Sequence, residues 1–431
     1  MTPLKTLRTW WPLLAVLLLA TLLRGFNLHF PGERYFDEIY YVDGAMDYLE
    51  SRPDSNNVHP TLAKLQLAAA LLCVDATRCW GWHQWDGVIG WRLAPFLAGV
   101  GVVALTAWLA YSLIPNRRLA CTAALLVAIE HLSNAESRIA TLDNLQAFWI
   151  TLGLGCAARR LFRSNSDSWI WASGLAFGVA TGCKWNGLFP AAGTAACLWG
   201  LVTSSPELRR PHRLKVALIY ALTIGGVYAL SYLPYRNLYP EKPLAKVVEE
   251  IKGQHLRMWN FRKDPKQFKH QYLSHFYQWP FVARPVWFHY KSHAKSRCTG
   301  IVAFGMIPFW WFAIYLTLES CITGYQRSPQ GPGDGRDRGS QFLAVAYLSQ
   351  WLFWATRLTR GFFYYMLPVV PVMAVLVARQ LEAWWQSGNS GWAGGYLALL
   401  GSVSLLYYPF ACGLEVPYKY FQVLFFMDNW V

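Results

Sequence analysis

Apolar residues in this chain come in long, nearly uninterrupted runs, without the strict alternation of a half-buried strand or the polar stripe of a soluble helix. A bilayer span takes roughly 20 mainly apolar residues. Runs at residues 11–28, 88–113, 119–133, 140–158, 168–183, 185–203, 214–234, 299–322, 340–357, 361–384 and 392–412 predict eleven spans. Residues 62–74 form a shorter apolar stretch, read as a helix lying at the interface. The first run follows Lys5 and Arg8 and lacks a small-residue cleavage site, so a retained first span is expected rather than a leader. The pattern predicts an all-α polytopic membrane protein of about eleven transmembrane helices.

Positive charge orients that arrangement. With eleven spans, the short loops on one side collect Lys5, Arg8, Arg117, Arg118, Arg159, Arg160, Arg163, Arg209, Arg210, Arg213, Lys215, Arg327, Arg336 and Arg338. Loops rich in Lys and Arg stay in the cytoplasm, so the N-terminus is expected there. The opposite, outer side then holds residues 29–87 and 235–297. Three parts follow: an N-terminal transmembrane module over 1–234 that includes the first outer loop, the long outer loop 235–297, and a C-terminal four-helix module over 298–431.

Composition agrees with the pattern and narrows it. Charged residues are 15% of the chain, against roughly 25% in soluble domains. The 23 Trp suit a protein with many membrane–water boundaries. A formal net charge of +15 divides between cytoplasmic loops, the basic outer loop and a few cations near spans, and does not read as a nucleic-acid footprint. Nine scattered Cys lack any Cys-x-x-Cys or zinc spacing, although Cys73 and Cys79 are close enough in sequence to pair on an oxidising face.

Candidate chemistry collects at the outer face. Directly after the first span comes Arg34-Tyr35-Phe36-Asp37-Glu38-Ile39-Tyr40-Tyr41. An acidic pair in a loop is ordinarily a solvated pair or a helix-start charge. The four surrounding aromatics instead place Asp37 and Glu38 at headgroup depth, where a carboxylate with a raised pKa can serve as a base. His59 and Lys64 flank Pro60 at the start of the interfacial stretch, as parts of a site or as the end of a capped helix with a snorkelling Lys. The eleven-span reading brings Glu136, Ser137, Arg138 and Asp143 to one outer turn, Lys184 and Trp185 to the next, and Arg357 and Arg360 to a third, with Arg92 just inside the second span. Singly these are interface anchors. Together they describe an outer pocket with cations for a phosphate and carboxylates for acid–base work.

The order of these motifs resembles the protein O-mannosyltransferases, polyprenyl-phosphate-mannose-dependent enzymes of the GT-C glycosyltransferase fold. The likeness runs through Phe36-Asp37-Glu38, His59-Pro60-Thr61-Leu62-Ala63-Lys64, Ser137-Arg138 with Leu142-Asp143, and Lys184-Trp185-Asn186-Gly187-Leu188-Phe189. It continues through Trp279-Pro280, Arg284-Pro285-Val286-Trp287 and the Arg360 to Pro371 region. The resemblance implies that Asp37 is the base for a Ser or Thr hydroxyl and that Glu38 helps position donor or acceptor. It implies Arg92, Lys184, Arg360 and Arg138 near the lipid phosphate, and His59, Lys64, Asp143, Trp185 and Tyr40 in the pocket or along the acceptor path. It also implies one inverting displacement, a polyprenyl-phosphate-mannose donor, a protein acceptor and no firm cofactor. Two departures stand out: Thr61 replaces the family's second proline, and the loop 235–297 is too short for the β-trefoil of eukaryotic members. The likeness is therefore to the bacterial branch, implying a bacterial plasma membrane with the site on its outer face.

In the outer loop, Trp259, Trp279, Trp287 and many basic residues read as interfacial anchors that roof the donor pocket. His270 and His275 lie five apart, off a shared helical face, so no metal site is predicted, although related glycosyltransferase folds sometimes use a divalent ion, which stays open. Two alternatives stay open: a GT-C enzyme that glycosylates a lipid or glycan, and a transporter or lipid-binding membrane protein. Transporters tend to carry paired repeats and broken helices at mid-membrane, whereas these ionisable residues gather at one face.

Overall fold

A computed structural model describes residues 3–77, 86–202, 210–261, 270–294, 296–326, 335–356, 360–427 and 430. The first half consists of α1 (Pro3–Gly25), α2 (Glu38–Leu49), α3 (Leu62–Thr77), α4 (Asp86–Leu113), α5 (Arg117–Ile129), α6 (His131–Glu136), α7 (Leu142–Phe162), α8 (Ser168–Cys183), α9 (Leu188–Ala196) and α10 (Arg210–Leu230). Residues 235–303 carry α11 (Leu244–Asn260) and strands β1 (Val286–His293) and β2 (Arg297–Ala303). Then come α12 (Ile307–Gln326), α13 (Gly335–Leu352), α14 (Val370–Gln386), α15 (Ser390–Tyr407), α16 (Pro409–Cys412), β3 (Glu415–Pro417) and α17 (Tyr418–Leu424).

Helices occupy every one of the expected apolar runs. By length and composition, three stretches among the described residues can cross a membrane: Gly87–Leu113, Pro211–Leu238 and Phe363–Gln386. Trp10–Gly25, Leu62–Val74 and Ile307–Ile322 are shorter apolar helices. The run 299–322 is not one helix: residues up to Ala303 belong to β2, and α12 begins at Ile307. Hydropathy cannot separate a buried strand from a buried helix over so short a stretch. β2 pairs antiparallel with β1 and with β3, a small sheet that joins the outer loop to the C-terminal segment.

Helices inside a bilayer associate through close packing more than through hydrophobic exclusion. Small residues permit it where α7 meets α4 and α8: a Cβ on Gly155 would sit 2.3 Å from the Trp108 ring, and one on Gly153 2.9 Å from Phe177. Buried cations close helix ends. Arg24, in the last turn of α1, donates to the carbonyls of Val127 (3.0 Å) and Ala128 (3.1 Å) at the end of α5. Arg138 in turn donates to the Arg24 carbonyl (2.7 Å) at the end of α1. Each guanidinium meets unpaired carbonyls at the negative end of a helix dipole. Cys79 and Arg357 lie outside the described residues; Cys73 is exposed.

Candidate active site

The site begins where the chain leaves α1. Phe36 takes a left-handed backbone (φ 49°), a conformation uncommon for a non-glycine residue. It turns the chain so that Asp37 opens α2. The Asp37 carboxylate makes no cap bond to its own helix. It faces the C-terminal half, where the Tyr364 hydroxyl donates to Oδ2 at 3.4 Å. Among the described residues this is its one side-chain hydrogen bond, which leaves Oδ1 open.

Glu38, next in sequence, points the other way and is fully buried. Arg92 clasps it with two parallel bonds, Nε to Oε1 at 2.8 Å and Nη2 to Oε2 at 2.9 Å. The Ala140 amide (3.1 Å) and the Trp91 indole (3.3 Å) complete the carboxylate. Arg92 gives its remaining contacts to the carbonyls of Leu28 (2.9 Å) and Glu33 (3.2 Å), with its guanidinium 4.9 Å from the Tyr35 ring. The pair is a strut joining α2, α4 and the turn before α7. A fully buried guanidinium with four bonds inside the protein holds Glu38.

Opposite Asp37 stands Lys184. The helix breaks between α8 and the 3₁₀ turn Trp185–Gly187, with Lys184 itself extended. Gln146 holds the break by donating to the carbonyls of Ala180 (3.0 Å) and Lys184 (2.7 Å). The Lys184 ammonium bridges both oxygens of Asp143, at 2.8 and 3.0 Å, and lies 4.0 Å from the centre of the Tyr365 ring. Asp143 sits in the first turn of α7, where a negative charge is favoured.

These groups set the proton affinity of Asp37. Burial raises it first, the Asp143 carboxylate adds to that, and Lys184 with the Tyr364 hydroxyl pull it back; the balance is a pKa of about 6. Glu136, buried with one oxygen bonded by the Thr141 hydroxyl (2.7 Å), is pushed well above the ordinary carboxylate range, chiefly by burial and then by Asp143. The centre therefore holds three carboxyl groups and one cation.

Lys184 and Trp185 also line a cavity of about 550 Å³, together with His59, Tyr228, His255 and Trp259. The Trp185 indole donates to the Tyr228 hydroxyl at 2.9 Å, and that hydroxyl lies 2.9 Å from His255 Nε2. His255 Nδ1 faces the Ile251 carbonyl at 2.7 Å. A carbonyl can only accept, so Nδ1 carries the proton and the Tyr228 hydroxyl donates to Nε2.

The other expected residues lie elsewhere. Lys64 is buried against Asp54 and the carbonyls of Asn56 (2.8 Å) and His59 (3.4 Å), a clasp from the first turn of α3 onto the segment between α2 and α3. Thr61, where the resemblance expected proline, donates to the Ser231 carbonyl at 2.9 Å and ties that loop to the end of α10. Arg138 is enclosed beside α1 and does not face the cavity. Arg360 and Tyr40 are exposed. The sequence reading missed Tyr364, Tyr365, Tyr228 and Arg24. The tyrosines are ordinary members of aromatic apolar runs, and Arg24 reads as a snorkelling span-end cation.

The family described as dolichyl-phosphate-mannose-protein mannosyltransferase matches residues 14–233, just over half of the chain. A polyprenol-phosphate-mannose–protein mannosyltransferase of Mycobacterium tuberculosis is 21% identical, over 99% of this chain and 93% of its own length. One of that name from Corynebacterium glutamicum is 22% identical, over 97% and 93%. The Saccharomyces cerevisiae Pmt1–Pmt2 complex bound to the sugar donor has a chain that superposes with a TM-score of 0.77 at 13% identity, over 98% of this chain and 92% of that one, so the GT-C fold is shared. This chain is a member of the dolichyl-phosphate-mannose-protein mannosyltransferase family.

Proposed function

We propose that the protein moves mannose from a polyprenyl-phosphate donor to Ser or Thr hydroxyls of exported proteins, with inversion at the anomeric carbon. Membership of the family and the names of the bacterial relatives support the donor and the protein acceptor. The observation that carries the chemistry is Asp37: a partly buried carboxylate with one open oxygen, within electrostatic reach of the Lys184 ammonium that lines the cavity.

Asp37 Oδ1 takes the proton of the acceptor hydroxyl as its oxygen attacks the anomeric carbon. The sugar–phosphate bond breaks on the opposite face, and the lipid phosphate leaves as an anion. Lys184, held by Asp143, supplies positive charge to that leaving group in a low-dielectric pocket. Glu38 and Arg92 act together as the brace that fixes the first turn of α2, and so Asp37, against α4. Arg138 braces α1. Arg360, exposed and carrying no side-chain bond among the described residues, remains available to a phosphate. Eleven spans, a cytoplasmic N-terminus and a site at the outer face of a bacterial plasma membrane complete the reading. The two transmembrane modules, 1–234 and 298–431, are joined by the outer loop 235–297.

The test is the fate of label. Membranes holding the protein are incubated with mannose-labelled polyprenyl phosphate. Label should enter protein and be released by mild alkali, as for sugars on Ser or Thr. Label appearing only in a new lipid or glycan would favour the alternative acceptor class.

A further inference from the structure

Two consecutive tyrosines of the 3₁₀ segment Phe363–Val369 reach the two opposite charges of the centre. The Tyr364 hydroxyl points at Asp37, and the Tyr365 ring lies under Lys184. Their ring planes differ by 88°, so one short segment serves both directions. Neither ring is loose. Tyr364 is 3% exposed and packs with Phe36, Phe288 and Phe362, the last stacked within 7° of parallel. Tyr365 stacks on Trp354 and meets Trp279 edge-on.

We infer that Tyr364 is a positioning residue for the reaction: its hydroxyl holds Asp37 Oδ2 so that Oδ1 faces the acceptor hydroxyl, and it favours the ionised base. The inference rests on Asp37 being that base. A 3.4 Å separation is long for a hydroxyl–carboxylate bond, as catalytic bonds often are before substrate closes the site. The phenol matters because of what else faces Asp37. Asp143 from α7 disfavours its charge, Glu136 from α6 is itself held well above the ordinary carboxylate range, and Lys184 after α8 is already shared with Asp143. Among the described residues of the C-terminal half, Tyr364 is the hydrogen-bond donor to Asp37.

The test is the pH dependence of transfer to a peptide by purified enzyme. An unmodified enzyme with Asp37 as base loses activity as pH falls through the pKa of that group. Removing a donor that favours the carboxylate raises that pKa, so Tyr364→Phe should move the acid limb up by about half a unit to one unit. Its rate should recover toward that of the parent at high pH. Tyr365→Phe keeps its ring and should leave the limb where it is, whatever it does to the rate. Fluorotyrosine at position 364, a stronger donor of nearly the same shape, should move the limb down and covers the case in which Tyr364→Phe does not fold. A limb unmoved by both changes at position 364, or a rate lowered by one factor at every pH, would overturn the positioning role. Transfer retained by Asp37→Asn is a separate result, which would remove the base and this inference with it.

Discussion

At the scale of single residues, the centre separates groups that hold from groups that react. Glu38 and Arg92 are both at 0% exposure, with their charges satisfied by each other and by backbone. Removing one partner of a buried pair strands the other, at a cost of about 3–5 kcal/mol. Arg92→Met and Glu38→Gln should therefore each lower the melting temperature of the detergent-solubilised protein clearly. The double variant should lose less than the sum, because the second change relieves the stranded charge. Arg92→Lys should not restore the parent value, since an ammonium cannot make the two parallel bonds. Asp37 behaves oppositely. Its folded pKa, about 6, lies above the ordinary value of 3.8. Between those values the folded state binds more protons than the unfolded one, so this group's contribution to stability falls as pH rises through that window. Asp37→Asn should then melt no lower than the parent at pH 7.5, even while transfer is lost. Asp37, Glu38 and Lys184 were legible in sequence because charge in aromatic or span-end company is costly and asks for a reason. Tyr364 was not, because a tyrosine beside Phe362 and Phe363 carries no mark of what its hydroxyl meets.

The element that most shapes the centre is the break between α8 and α9. It delivers Lys184 because the chain leaves helical geometry for one residue and re-enters through a tight 3₁₀ turn. Gly187 makes the return possible. A Cβ there would lie 2.7 Å from the backbone of Ala180 and Thr181, atoms that cannot rotate away. Gly187→Ala should cost about 1–3 kcal/mol of stability, as overpacking does. Thermal unfolding checks that figure. Activity should fall further than stability alone explains, since Lys184 moves with the turn. The sequence showed two runs, 168–183 and 185–203, with Lys184 between them, so the break was readable from the charge that interrupts the apolar run. The strand β2 was not. Thr299, Ile301 and Val302 favour strand as readily as they fill an apolar run, and only pairing with β1 and β3 decides the matter.

Across the whole molecule, both halves contribute to the centre. Asp37 comes from the loop after α1, Lys184 from the middle of the first half, and Tyr364 and Tyr365 from the segment before α14. The segment between α11 and α12 ties them: Ser274 and Gly361 exchange backbone bonds of 2.9 and 2.8 Å, and β3 returns the C-terminal segment to β2. Long-range meetings of this kind do not show as apolar runs along the chain, which is why the apolar helices were readable and the far wall of the centre was not. The proposed orientation predicts sidedness. In a cysteine-free background, Tyr40→Cys should react with a membrane-impermeant maleimide in intact cells, and Arg117→Cys should react only after lysis. The central claim is that Asp37 is the base of a mannosyl transfer to protein. The direct measurement is transfer of labelled mannose from polyprenyl phosphate to a Ser/Thr peptide, by purified parent and Asp37→Asn enzymes side by side at pH 7.5. The account predicts a folded variant with transfer reduced by about 10²-fold or more, the lower end of what a general base contributes; near-normal transfer by that variant would contradict it.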